Sequence, residues 1–151
     1  MPASVVDLAC GLNPLTLPWM NLPPGTRYLA CDIDTEMTRF LDGFLRLAPV
    51  DGRAEVNDLI AGPPAGRADV AFLFKALPCL RHQTEDLLRI LDSIEATWLV
   101  VSFPTRSLGN RARGMAATYR AMYADVIGGR SWETRELLYP SELVFVTRKG
   151  R

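Results

Sequence analysis

The sequence predicts an α/β domain, a mostly parallel sheet covered by helices and closed by an antiparallel hairpin. Strand-like and helix-like segments alternate from one end of the chain to the other, and the last two strand-like segments are separated only by a turn. The stretch Ala68–Phe74 is almost continuously apolar, as strands buried on both faces of a parallel sheet tend to be. The 151 residues suffice for one domain with a single core. The 48% hydrophobic and 23% charged content is ordinary for a soluble globular chain.

Taken in order, residues 4–9 (Ser-Val-Val-Asp-Leu-Ala) form the first expected strand and residues 27–32 (Arg-Tyr-Leu-Ala-Cys-Asp) the second. The Pro-rich stretch 13–24 between them has room for only a short helix. Residues 35–47 place Met37, Phe40, Leu41, Phe44 and Leu45 at helical spacing, with Thr35 as the expected N-cap and Asp34 as a second capping candidate. A short third strand covers 53–56, and the fourth is the apolar run 68–74. A helix is expected over 84–94 with Leu87, Leu88 and Leu91 inward, then a fifth strand over 98–103. Residues 115–127 read as a helix stopped by Gly128-Gly129. Strands over 132–138 and 142–147 flank the turn Tyr139-Pro140-Ser141. Five strands alternating with helices and closed by a hairpin is the layout of the class I, Rossmann-like methyltransferases. Pattern fixes the fold class and leaves the chemistry open.

Composition removes several classes of function. Cys10, Cys31 and Cys79 lack the spacing of a zinc site, and His82 is the only histidine, so no metal is expected and reduced, partly buried thiols are. A Ser/His/Asp or Cys/His centre would have to be built on His82, whose polar neighbours Arg81, Gln83 and Thr84 favour a surface or helix-start role. No apolar run approaches the roughly 20 residues of a membrane span, and no signal-peptide pattern opens the chain, which points to the cytoplasm. Net charge is zero, 17 basic against 17 acidic residues, whereas a free-standing nucleic-acid binder usually carries a basic excess. The segment 105–114 nevertheless holds Arg106, Arg111 and Arg113 with no acid.

The ends of successive strands carry the candidate site. The first strand runs into Asp7-Leu-Ala-Cys-Gly11-Leu-Asn13-Pro14, where a glycine lets backbone approach a ligand closely. This is not GxGxxG, so a pyrophosphate loop is not expected. Asp32 closes the second strand 21 residues after Gly11, where an acid can accept hydrogen bonds from ribose hydroxyls. Asp58 follows the third strand and is placed to accept from an adenine amino group. Singly, Asp7 and Asp32 also fit helix caps and Gly11 a plain turn. Three such residues in register at carboxyl ends of strands, where open α/β sheets bind ligands, favour a nucleoside site.

Ala9-Cys-Gly-Leu-Asn-Pro14, Cys31-Asp-Ile33, Phe74-Lys-Ala-Leu-Pro78 and above all Val101-Ser-Phe-Pro-Thr-Arg-Ser-Leu-Gly109 resemble the aminoglycoside-resistance 16S rRNA (guanine-N7) methyltransferases. The likeness continues through Arg111, Gly114-Met115 and Tyr119 into Glu142-Leu143. It departs from the family at Asn110 and at Ala116-Ala117. The resemblance implies S-adenosylmethionine (SAM) held by Gly11, Asp32 and Asp58, with Leu59 beside the adenine and Asp7, Ala9, Asn13, Ile33 and Phe74 completing the donor site. It implies a guanine of the decoding site as target, in the 16S rRNA of the 30S subunit. Lys75, Arg106 and Ser107 would position the reaction, and the same three with Arg111 and Arg113 would contact RNA. The family also resembles itself over a longer chain, with a helical N-terminal domain ahead of the first strand. Here that strand begins a few residues after Met1, so the sheet face such a segment covers is expected to be exposed and to favour self-association.

Guanine N7 has a lone pair and no proton to lose, so its methylation needs alignment and no general base. The absence of a Cys or His catalyst fits that chemistry. Lys75-Ala-Leu-Pro78 stands where enzymes acting on exocyclic amines carry an Asn/Asp-Pro-Pro-aromatic motif, which disfavours amine substrates. Because N7-methylguanine is cationic, Lys75 is expected to contact phosphate or support its loop; a snorkelling lysine at a strand end is the plainer reading. The arginines fit phosphate anchoring or a solvated surface. Phe103 and Tyr119 fit either stacking on an extruded base or core, with core favoured for Phe103. Three functions remain open: an rRNA methyltransferase, a donor-binding module without turnover, and a methyltransferase of a small acidic molecule.

Overall fold

The computed structural model describes residues 1–105 and 114–150. Arg106, Ser107, Arg111 and Arg113 of the basic segment lie outside the described residues. The strands are β1 (Ser4–Leu8), β2 (Arg27–Asp32), β3 (Asp51–Val56), β4 (Ala68–Phe74), β5 (Ala96–Pro104), β6 (Glu133–Leu138) and β7 (Glu142–Arg148). They form one sheet in the order β3-β2-β1-β4-β5-β7-β6. Pairing is parallel through β5, and β7 runs antiparallel to both β5 and β6. The order reverses direction at β1 and β4, which places a crevice at the carboxyl ends of the strands there.

Each face of the sheet buries a different helix set. On one, α4 (Leu87–Ser93) and α5 (Met115–Ile127) bring Leu87, Ile90, Leu91, Tyr123 and Val126 against Leu8, Leu73, Leu99, Val101 and Phe145. Phe103 is fully buried there, stacked on Tyr119 at 4.8 Å and edge-on to Tyr123 and Phe145. It is a core residue. On the other face, α2 (Thr35–Leu45) packs Leu41 and Leu45 over Val5, Tyr28 and Ala30, beside Leu17 of the short α1 (Leu17–Met20). Burying side chains of this size contributes about 1.5–3 kcal/mol each. This second face is covered unevenly: Val70, Phe72, Phe74, Val100, Val144 and Val146 are half-buried, and Trp98 is 39% exposed. Strand β4 is therefore buried on one face only, through Ala71 and Leu73, and its apolar run marks a half-open surface where burial on both sides was expected.

Several local expectations are corrected. The N-cap of α2 is Asp34, whose Oδ1 accepts from the Glu36 and Met37 amides at 3.0 and 2.9 Å, while Thr35 is already helical. Phe40 is 57% exposed: the inward stripe passes through Thr38, Leu41 and Leu45, leaving Phe40 on the solvent side. The Lys75-Ala-Leu-Pro78 motif after β4 enters a short helix, α3 (Leu77–Arg81), because Pro78 sits in its first turn, where the missing amide costs nothing. His82 is the exposed C-cap residue of α3, not a helix start. Asp86 caps α4 through the Arg89 amide, so that helix begins three residues later than its apolar spacing indicates, with Ile90 fully buried and Leu88 only half-buried.

Replacing Asp34 by Ala removes both cap bonds and is expected to cost about 1 kcal/mol. In urea unfolding this appears as a lower midpoint with unchanged slope. Phe40→Ala, on the exposed side of the same helix, should stay within about 0.5 kcal/mol of the parent.

Candidate functional site

Past Leu8 the chain leaves strand geometry, and both Ala9 (φ 48°) and Gly11 (φ 51°) adopt the left-handed conformation. For Ala9 this costs on the order of 1 kcal/mol. The turn is tied to the end of β2: the Cys10 amide donates to Cys31 O at 2.9 Å, and the Gly11 amide donates to Asp32 Oδ2 at 2.9 Å. A Cβ placed on Gly11 would meet nothing within 4 Å, so open space stands over the backbone at this point. Asp32 Oδ1 accepts from the Asp34 amide at 3.1 Å, and Asn57, just beyond β3, donates its amide to Asp32 O at 2.9 Å. Asp58 comes next, exposed, with Oδ1 accepting from the Ile60 amide at 3.0 Å. Gly11, Asp32 and Asp58 thus stand along one edge of the sheet.

Asp7 is the most constrained group of the constellation. It is 1% exposed, and one oxygen, Oδ2, accepts from the Tyr28 hydroxyl at 2.6 Å and from Asn13 Nδ2 at 2.9 Å. Its other oxygen has no partner. Among the described residues only Asp7 Oδ1 and Ser102 Oγ are buried side-chain oxygens without a hydrogen bond. Burial pushes the Asp7 carboxyl up to about 7, against the lowering effect of the Tyr28 and Asn13 hydrogen bonds and with a smaller raising contribution from Asp32. Burial also raises the Tyr28 hydroxyl and the Cys10 thiol, and pushes the Cys31 thiol up to about 12. Neither buried thiol forms a thiolate near neutral pH, so neither serves as a nucleophile. Cys79 is exposed.

The remaining expected residues divide. Asn13 is half-buried and engaged with Asp7; Ile33 is exposed beside Asp32; Phe74 is half-buried and stacked on Phe72 at 4.8 Å. Leu59 is buried in the larger core cluster. Lys75 also has a positive φ (58°), donates its amide to Ser102 O at 2.9 Å, and pairs through Nζ with Glu142 Oε1 at 2.5 Å. A separate cleft of about 280 Å³, lined in part by Arg27, Arg53, Arg67 and Glu95, lies at the opposite edge of the sheet, and of the site residues only Tyr28 lines it.

The family model for "Ribosomal RNA methyltransferase (FmrO)" matches residues 1–146. The chain belongs to the FmrO family. A 16S rRNA (guanine(1405)-N(7))-methyltransferase of Frankia casuarinae is 44% identical over 150 residues, 98% of this chain and 53% of the relative. One from Serratia marcescens is 34% identical over 99% of this chain and 59% of the relative. The crystal structure of the 16S rRNA methyltransferase RmtF, solved with S-adenosyl-L-homocysteine, superposes with a TM-score of 0.84 at 35% identity, covering 97% of this chain and 55% of RmtF. The chain thus spans about half the length of the FmrO-family relatives it matches, and its fold is theirs: the class I methyltransferase sheet with an antiparallel end.

Sequence reasoning missed Tyr28 and Glu142 as site residues. Tyr28 reads as one more core residue of β2. Its register beside Val5, two residues before an inward aspartate, was the available signal, because a buried tyrosine hydroxyl usually finds a partner.

Asp7 binds its proton more tightly in the folded chain than in the unfolded one. Its contribution to stability is therefore complete below about pH 4 and is lost as pH rises through about 7. Asp7→Asn keeps the shape and removes the titration. The stability difference between wild type and this variant, measured by urea unfolding from pH 4 to 8, should move steadily against the wild type. Parallel pH curves would remove the buried-acid reading.

Proposed function

We propose that this chain is the donor-binding catalytic part of a SAM-dependent methyltransferase acting on N7 of a guanine in the 16S rRNA decoding site. The observation that carries this is the convergence of Gly11, Asp32 and Asp58 at the ends of β1, β2 and β3, within a family match that runs through residue 146. The residues fit the donor: open space stands over Gly11, and one oxygen of buried Asp7 lacks a partner. When bound, SAM supplies a methyl group activated by its sulfonium, which guanine N7 displaces in line from sulfur. Asp32 accepts from the ribose hydroxyls with lone pairs left over from its two backbone bonds, and Asp58 accepts from the adenine amino group. Ala9 and Asn13 shape the turn under the donor, with Leu59, Ile33 and Phe74 as apolar walls. Asp7 offers its free oxygen to the α-ammonium.

No group of the site has to remove a proton, so catalysis is alignment. Arg106 and Ser107 position the target and with Arg111 and Arg113 hold phosphate, while Lys75, paired with Glu142, supports the turn beside it. The partner is the 16S rRNA of the 30S subunit, which places the protein in the cytoplasm and makes resistance to drugs that contact that guanine the consequence. A second reading is a donor-binding module without turnover. The half-open face around Trp98, Val100 and Val146 is proposed as the surface through which copies associate.

Titration calorimetry should show SAM binding, and Asp32→Ala should weaken it about a hundredfold or more, through two lost charged hydrogen bonds to the ribose and a loosened Gly11 turn. Incubation with labelled SAM and 30S subunits should label 16S rRNA, and borohydride–aniline treatment should then cleave it at one guanine. Binding without labelling selects the module reading; no binding rejects both.

Sedimentation velocity should reveal concentration-dependent association that Trp98→Glu relieves. A monodisperse monomer at all concentrations would rule that surface out.

A further inference from the structure

The environment of Asp7 contains more than donor binding by itself requires. From β2 it faces the Tyr28 hydroxyl, and from the turn after β1 it faces Asn13. Asp32, at the end of β2, is the nearby charge acting on it, and the neighbouring thiol of Cys10 is uncharged at neutral pH. The residue beside it on β4 is Phe72, and α2 packs on this face through Leu41 and Leu45, none of them charged. Among the described residues no lysine, arginine or histidine forms an ion pair with Asp7. A carboxyl so enclosed, without a cation, holds its proton until the pH approaches about 7. Both the Tyr28 hydroxyl and the Asn13 amide nitrogen donate to the same oxygen, which leaves the other one without a partner.

We infer that Tyr28 is a positioning residue for the methyl donor: with Asn13 it pins one oxygen of Asp7, keeps the other for the donor's α-ammonium, and makes donor uptake expel a proton. The inference rests on the donor reading above. The balance is simple. A neutral carboxylic acid and a cationic ammonium enter, a carboxylate–ammonium pair forms, and the acid's proton leaves to solvent. The donor's own α-ammonium stays protonated below about pH 7.5, so it does not supply that proton. Affinity therefore rises with pH through the Asp7 titration, the opposite direction from the stability of the empty protein.

The test is calorimetry of the purified chain with SAM from pH 5 to 7.5, in buffers of differing ionisation enthalpy so that released protons are counted. The wild type should release a large fraction of one proton at pH 6 and gain about tenfold in affinity per pH unit below the midpoint. Methylthioadenosine, which lacks the amino-acid end, should bind with no pH dependence. Tyr28→Phe keeps the ring and removes a bond that favours the carboxylate. Its midpoint should move up, so its affinity deficit is large at pH 6 and shrinks towards the alkaline end. A merely structural defect would lower affinity equally at every pH. Asp7→Asn, checked for folding by circular dichroism, should bind weakly and flatly. Donor binding that is flat in pH, or a Tyr28→Phe curve parallel to the wild type, overturns this inference and leaves the donor reading intact. Absence of any donor binding overturns both.

Discussion

The hydrogen bond from the Gly11 amide to the Asp32 carboxylate joins two segments 21 residues apart, beyond the last regular rung between β1 and β2. Together with the Cys10–Cys31 backbone bond it holds a turn that the strand ladder cannot follow, because Ala9 and Gly11 both have positive φ. The sheet makes this possible. Parallel strands present their carboxyl ends side by side, so the residue after each strand meets its neighbours at one edge. With the turn pinned, backbone at Gly11 stays open to ligand, Asn13 reaches back to Asp7, and Asp58 follows from the β3 end, itself tied to Asp32 through the Asn57 amide. Loss of the pin would free the turn that carries Gly11 and Asn13.

What was readable in the sequence follows from how local each signal is. Strand alternation and the run 68–74 are properties of neighbouring residues, and they placed all seven strands to within two residues at either end. That Gly11, Asp32 and Asp58 follow the ends of successive strands was readable because strand ends can be counted. Caps were harder: Asp34 and Thr35 both have the oxygen an N-cap needs, and only the backbone of Asp34, extended at φ −76° and ψ 114°, decides between them. Phe40 failed for a geometric reason, since 3.6-residue spacing admits two adjacent stripes and only packing against β2 and β3 selects one. Tyr28 and Glu142 were out of reach of local reading, because their partners lie 21 and 67 residues away.

The interior beneath the site is unusually polar for a sheet core. Asp7 and the Tyr28 hydroxyl share the α2 face with Cys10, all three shifted towards their neutral forms by burial. Such a group is costly unless something repays it, and an uncompensated buried acid is most economically explained by a ligand that brings a cation. Ser102 Oγ, the other unpartnered buried oxygen, lies in the strand row of Phe74 and on the same face as Asp7. Among the described residues, both unpartnered buried oxygens thus lie on one face of the sheet.

Charge also gives the antiparallel hairpin beside the site a role. In the proposed reaction a positive charge passes from sulfur to guanine. A bare ammonium at about 4 Å would oppose its arrival by several kcal/mol at an effective dielectric near 20. Lys75 follows β4 directly, in the wrong place for a free cation. The register of β7 against β5 sets Glu142 opposite Pro104, and from there Glu142 reaches Lys75 at 2.5 Å. The pair is partly exposed, so its contribution to stability is small. Its electrostatic effect is larger: the lysine becomes half of a dipole, while its left-handed backbone and its amide bond to Ser102 O fix the turn that β4 makes into α3. A parallel strand in the place of β7 would enter the sheet from the opposite edge, and its first residue would lie a full strand length from Lys75. The reversal of direction at the end of the sheet is what lets a residue of the hairpin neutralise a residue of the crevice.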